Sequence, residues 1–485
     1  MSLSGVAFLI ILLTASMPVG TDHLFSEAST SSFRCRGTKV RPSDQLSALI
    51  SKRPEGATFC ILRGKHRVRM TLVPKRGQRF IGRRGAVISG SKLVKNWNSE
   101  GGRWKAVGQT QQSAPTSSDL QVCSPSAYDG CKYNEQVFFD KRSLRQVTSL
   151  SELSSGEFYF DYDADAIFIA DNPNGHRIEA SVVGIAFSSL NANVTIKNLI
   201  IERFGNPAQT GAISSGIGWL ISRNEVRQNH GAGIHSDTRS RVIGNHIHHN
   251  GQLGIHGLGN NSLIARNEIA FNNVDGFSTG FEAGGAKWIK TRDLVVRNNR
   301  VHHNIGPGLW TDIDNIGTLY EGNRVVRNTI AGIVHEISYR AVVRNNVIIG
   351  NGHRHPVADK SLWGAGIQVD QSSSVEIFGN RLRRNANGIT ATQMPGGSGA
   401  FGPHEVKDLF VHDNVVRQAG GGYAAGLYVG EVTDSGVFYS DHQNRYVRNH
   451  YYLGQAKPFY WLGAARTRQE WVGFGQDTSG TFEGP

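Results

Sequence analysis

From residue 198 onward, short apolar runs of alternating character are punctuated by asparagine at a recurring interval. An Asn followed two residues later by an apolar residue occurs at Asn198, Asn224, Asn245, Asn267, Asn299, Asn323, Asn346, Asn380, Asn414 and Asn444. A second Asn follows five residues behind at Asn229, Asn250, Asn272, Asn304, Asn328, Asn351, Asn385 and Asn449, and Ala419 breaks that series. A Gly-apolar pair then closes most repeats, at Gly233, Gly254, Gly285, Gly308, Gly332, Gly366, Gly388 and Gly426. The interval is just over twenty residues at its shortest, and the runs between are β-branched. This pattern predicts an all-β chain wound as a right-handed parallel β-helix, each coil giving two or three strands. Stacked Asn amides at the turns hydrogen-bond along the ladder, so these residues are structural. The longer intervals carry inserted loops at residues 273–284, 353–363 and 393–404, the kind of segment that walls a binding groove.

The N-terminal part reads differently. Leu46, Leu49 and Ile50 have helical spacing behind Pro42 and Ser43, and predict a short helix over residues 43–51 that plugs the first coil. Aromatic runs such as Val137–Phe139 and Phe158–Tyr162 alternate with polar residues and predict a small inserted antiparallel β subdomain. The expected division is a signal peptide and linker over 1–27 and a β-helix over 28–485. Within the latter, 109–180 forms the insertion, 181–440 the regular coils and 441–485 a C-terminal cap.

Composition narrows the class. With 39% hydrophobic and 19% charged residues the chain folds, and 58 Gly without a three-residue period exclude collagen and imply many tight turns. Val6–Ala15 is an apolar run too short to span a bilayer, and it predicts a signal peptide and a secreted protein with no membrane attachment after cleavage. Four cysteines in an exported chain give two disulfides, expected locally as Cys35 with Cys60 and Cys123 with Cys131. The net charge of +13 suits an acidic polymer, but Lys and Arg are scattered rather than gathered in one run, which argues against nucleic acid.

Candidate chemistry follows from counting along each strand from its Gly. Position one (Ile234, Ile255, Ala286, Leu309, Ile333, Ile367, Ile389, Leu427) is apolar and faces inward, so positions two and four face outward. Position two reads His235, His256, Lys287, Trp310, Val334, Gln368, Thr390 and Tyr428. Position four reads Asp237, Leu258, Ile289, Asp312, Glu336, Asp370, Thr392 and Gly430. Three acids, Asp312, Glu336 and Asp370, therefore stack on consecutive rungs ~4.8 Å apart. Acids so close cannot all stay charged without a cation, so one holds a proton or the set binds metal. Neighbouring rungs match the ~5 to 5.5 Å carboxyl spacing of a retaining glycosidase, in which one acid attacks the anomeric carbon and the other protonates the leaving oxygen. Trp310, with Trp288 or Trp363, is a candidate platform for a sugar face.

Three segments carry a resemblance: Glu282–Lys287 (E-x-x-G-x-K), Gly308–Asp312 (G-L-W-x-D) and Val334–Glu336 (V-x-E). In this order and near these spacings the chain resembles the β-helix glycoside hydrolases that include β-xylosidases, within the pectate-lyase-like superfamily. The likeness runs over roughly residues 40–350. It implies Asp312 as nucleophile and Glu336 as general acid/base, with Glu282 and Lys287 orienting substrate or tuning the pair. Trp310, Asp314, Asp370 and Gln368 complete the expected substrate-binding set. Asp314 and His335 depart from the family pattern, and sugar specificity lies in the inserted loops. The implied protein is a monomeric enzyme of polysaccharide or oligosaccharide hydrolysis that needs no cofactor.

Two rivals remain. In a calcium-dependent polysaccharide lyase the three acids would hold Ca²⁺, and Lys287 or Arg340 would abstract the proton beside a uronate carboxyl. In a non-catalytic carbohydrate-binding repeat protein the acids would be structure alone. Zinc at His246, His248, His249, His302 or His303 is weaker than their reading as turn residues.

Overall fold

Three strands per coil, turning from one flat face to the next, build a parallel β-helix in a computed structural model. The structure describes residues 35–112, 122–124, 129–353, 362–418 and 420–484. The expected signal segment, 1–27, lies outside the described residues. Among the described residues no helix is long and apolar enough to cross a membrane.

Sheets one and two each have 13 strands, and sheet three has 12. A single coil shows the path: Val295–Arg297 in sheet one, Arg300–His302 in sheet two, Leu309–Asp312 in sheet three. Alternate side chains enter one continuous core, in which Ile234, Ile255, Leu309, Ile333, Ile367 and Ile389 stack in sheet three. The helix Leu46–Lys52 closes the N-terminal end by burying Leu46 and Ile50 in that core. At the other end the helix Arg468–Gly473 buries Trp471.

The asparagines form two ladders. Between sheets one and two, each backbone N–H from Asn224 to Asn414 donates to the next rung's Asn Oδ1, ending on Asn449 and then Asp477. A second ladder, Asn229 to Asn385, runs between sheets two and three. Two expected members fall elsewhere. Leu199, not Asn198, donates its N–H to Asn224, because Asn198 takes the preceding left-handed turn position at φ 56°. Asn449, not Asn444, follows Asn414, since Asn444 sits one turn earlier and caps Leu409. The repeated glycine also has a steric cause. A Cβ on Gly308 would lie 2.7 Å from the carbonyl oxygen of Gly332 and 2.8 Å from Nδ2 of Asn328, so the tight corner admits no side chain.

The antiparallel insertion is larger than expected. It begins at Ser91–Leu93, which pairs with Ile178–Ser181, and includes the hairpin Asn98–Glu100 with Arg103–Val107. Leu93 and Val107 are exposed, which weakened their strand signal, yet Val94 and Ala106 join Phe158, Phe160, Ile167 and Ile169 in a separate core. Regular coils also extend beyond 440, because Arg445–Val447 and His450–Leu453 continue sheets one and two.

Candidate active site

The outer side of sheet three carries the acids. Rung pairing aligns Lys287 with Trp310, Ile289 with Asp312, Val334 with Gln368, and Glu336 with Asp370. The count from glycine slips only at the last rung. There Ala425, not Leu427, pairs with Ile389, so Tyr428 follows Thr392 in the acid column and Gly430 leaves it. Ala424 takes the corner against Gly388, and Gly426 is one step into the strand.

The acids on this face are largely buried. Asp312 is 8% exposed, Lys287 3%, Trp310 3% and Asp370 3%, while Glu336 stays partly open. Lys287 is the hub. Its Nζ lies 2.8 Å from Asp312 Oδ2 and 3.9 Å from Glu282 Oε1, donates to the Phe281 carbonyl at 2.6 Å, and sits 3.7 Å from the Trp310 ring centroid. One ammonium thus neutralises the acid and is capped by an aromatic face. Trp310 Nε1 in turn donates to Glu336 Oε2 at 2.9 Å.

Three acids of the site are pushed toward the protonated form. Burial raises Glu336 well above the ordinary carboxyl range, and the charges of Asp312 and Asp370 push the same way, against Lys287 and the Trp310 hydrogen bond. Burial and Asp312 push Asp370 up to about 8. Burial also raises Glu282, and lowers His256 to about 3, so that this imidazole is neutral 3.5 Å from Glu282 Oε2. Among the described residues, the buried Oδ1 atoms of Asp312 and Asp370 and Oε2 of Glu282 have no hydrogen-bond partner. Such orphans are costly in a fold and useful in a site.

Asp370 gives a stability prediction. A carboxyl raised from 3.8 to about 8 favours the folded state fully below the lower value, and the benefit is lost as pH rises through the higher one. The melting temperature should therefore fall between these limits, and Asp370→Asn should flatten that fall. Equal pH slopes in thermal melts of the two proteins would contradict it.

Several expectations are corrected. Trp288 is fully buried and points into the core, so it is no sugar platform, whereas Trp363 packs with Trp310, Ala331 and Val334 on the outer side. Gln368 is 0% exposed and its amide is spent on Thr390 and Thr392, which leaves it a support rather than a ligand-binding group. Asp314 accepts from the Ala400 N–H and contacts His404 Nε2 at 3.0 Å, and so anchors the 393–404 loop.

Residues not anticipated hold the strand ends. Asn315 Nδ2 donates to the Asp312 carbonyl at 2.8 Å, Ser372 Oγ donates to the Asp370 carbonyl at 2.7 Å, and Asn315, Ser338 and Ser372 are linked N–H to side chain along this corner. This third polar ladder is heterogeneous in residue type, which hid it among ordinary turn residues. The Cys123–Cys131 disulfide, paired as expected, packs with Phe277 and Ala283 in the loop that delivers Glu282. Cys35 and Cys60 are also disulfide-bonded, and no cysteine among the described residues is free. His248 and His302 lie on sheet two, against Glu225 and Glu268.

A family model described as a right handed beta helix region matches residues 210–382. Among solved structures, one described as XylC in complex with xylose is similar at TM-score 0.65 and 16% identity, over 90% of this chain and 82% of that one. The A-module of the Azotobacter vinelandii mannuronan C-5 epimerase AlgE6 is similar at TM-score 0.46 and 14% identity, over 89% and 91% of the two chains. A polygalacturonase from Erwinia carotovora ssp. carotovora is similar at TM-score 0.42 and 9% identity, over 91% and 97%. No curated protein matches the chain in sequence. The protein has the right-handed parallel β-helix fold.

Proposed function

We propose that the protein is a secreted, carbohydrate-processing enzyme, a retaining glycoside hydrolase in which Asp312 is the nucleophile and Glu336 the general acid/base. The carrying observation is the asymmetry of two stacked acids: Asp312 is ion-paired with Lys287 at 2.8 Å, while burial and neighbouring charge hold the proton on Glu336. Two carboxyl groups on neighbouring rungs with opposed environments are what a double displacement requires.

The steps follow from the atoms. Asp312 attacks the anomeric carbon as the glycosidic bond breaks, and Glu336 gives its proton to the departing oxygen. Since Trp310 Nε1 donates to Oε2, Oε1 is the atom that carries this proton. The Glu336 carboxylate then takes a proton from water, which attacks the glycosyl ester and returns Asp312 to its carboxylate. Glu282 and neutral His256, beside Lys287, present buried polar atoms to the sugar hydroxyls. The similarity to XylC, solved with xylose, makes pentosides the first substrates to try. Disulfides support work outside the cytoplasm.

Against a calcium-dependent lyase, the cation facing Asp312 is the Lys287 ammonium, already held by Asp312 and by the Phe281 carbonyl. Arg340 is exposed on a sheet-one strand, Tyr339–Arg344, rather than in the acid column. The test is turnover of aryl glycosides and neutral and acidic glycans, with and without EDTA, followed by reducing ends and by absorbance of unsaturated uronates. New reducing ends insensitive to EDTA are expected, and unsaturated products lost on chelation would make the protein a lyase. The pH profile is a second check. Activity needs protonated Glu336, so kcat/KM should persist above the ordinary value of 4.5 and decline as pH rises through the raised one. An alkaline limb at or below 4.5 would remove Glu336 from this role.

A further inference from the structure

The coil gathers arginines that the sequence scatters. On the outer side of sheet two, Arg300 pairs with Arg324, and Arg383 pairs with Arg417, as direct rung neighbours. Arg381 shares the strand of Arg383 and stands two rungs beyond Arg324 with Val347 between, and Arg327 and Arg384 follow their strands at left-handed turn positions. All seven are exposed. The strands Arg324–Val326, Val347–Ile349, Arg381–Arg383 and Val415–Gln418 contain no acid. Among the described residues, only Arg300 of the seven has an ion pair, with Glu268.

Sheet one shows what an ordinary solvated face does. There Arg297, Glu321 and Arg344 alternate in sign on consecutive rungs, and Arg344 bonds Glu321 at 2.7 Å. Like charges stacked on neighbouring strands are destabilising, so a purely structural face has reason to alternate. Sheet two instead keeps cation beside cation, with Val326, Val347 and Ile349 half-buried among them and Tyr452 beneath the Arg417 guanidinium, 3.5 Å from its ring centroid.

We propose that this face binds a linear acidic polysaccharide laid along the solenoid axis. A β-helix face is straight, and its cations occupy four of five successive rungs ~4.8 Å apart, only the Val347–Ile349 rung carrying none, a spacing close to the length of one sugar unit bearing one carboxylate. A nucleic-acid duplex carries a phosphate every ~3.4 Å per strand but winds away from a flat surface, so it fits this array poorly. The planar guanidinium suits paired hydrogen bonds to a carboxylate. The face is distinct from the acid-bearing sheet and does not depend on the reading of Asp312 and Glu336.

The experiment is affinity electrophoresis of the full chain in gels containing polygalacturonate, neutral xylan or single-stranded DNA of matched charge, over a salt series. Wild type should be retarded by polygalacturonate, released by salt and unaffected by xylan. The combined variant Arg324→Ser, Arg381→Ser, Arg383→Ser, Arg417→Ser should bind roughly tenfold or more weakly. The control variant Arg297→Ser, Arg344→Ser on sheet one should bind as wild type. Circular dichroism checks folding, and should the combined variant misfold, Arg383→Glu alone replaces it. No retardation of wild type, equal retardation by DNA, or equal loss in the control overturns the proposal. Aryl-glycoside turnover is read separately: activity without polyanion binding removes this surface, and binding without activity removes the hydrolase.

Discussion

Asp312→Ala should lower turnover by on the order of 10⁴ or more while leaving circular dichroism unchanged, because no other group can form the glycosyl ester. Nearby Asp370 does not substitute, since it is fully buried on a further rung and is protonated up to about 8. Glu336→Ala should cost about 10² to 10⁴, less for substrates whose leaving group needs no proton. Added azide should restore the Glu336 variant by attacking the glycosyl ester without general-base help, and should yield a glycosyl azide of retained configuration. The two variants therefore separate by chemistry as well as by size. Wild-type rates in either protein would remove the site assignment.

The largest effect on stability is expected from the Asn ladder. Asn346 accepts from the Asn323 N–H and side chain at 2.8 and 3.0 Å through Oδ1, and donates to the Tyr320 carbonyl and Asn380 Oδ1 at 3.0 and 2.9 Å. It is fully buried in the middle of the solenoid. Asn346→Leu fits the volume but strands those partners without water, each at a cost of about 1–3 kcal/mol. The variant should lose several kcal/mol in denaturant unfolding, or fail to accumulate as folded protein. A shift under about 1 kcal/mol would mean that the ladder relaxes around the gap.

The β-helix was legible because its period, corner glycines and ladder asparagines repeat in the sequence itself. The acid column was legible for the same reason, since strand alternation carries Asp312, Glu336 and Asp370 to one side. Where counting failed, a local exception had replaced the marker residue: Leu199 for Asn198, Asn449 for Asn444, Ala424 for the corner glycine. Trp288 was legible too: counted from Gly285 it takes position three, on the inward side with Ala286, and only its aromatic ring made it look like a platform. The corner ladder of Asn315, Ser338 and Ser372 is built from mixed residue types, which carry no period. The arginine face was hidden because its rungs, carrying Arg300, then Arg324 and Arg327, then Arg381, Arg383 and Arg384, then Arg417, lie a full coil or more apart along the chain.

The central claim is a covalent intermediate on Asp312. The direct measurement is mass spectrometry of the protein after incubation with the 2-deoxy-2-fluoro analogue of its best glycoside, which slows hydrolysis of the ester. A single glycosyl mass on the peptide containing Asp312, absent from Asp312→Ala, is the predicted result. A label on another residue, or an unlabelled enzyme whose first product has inverted configuration, would contradict it.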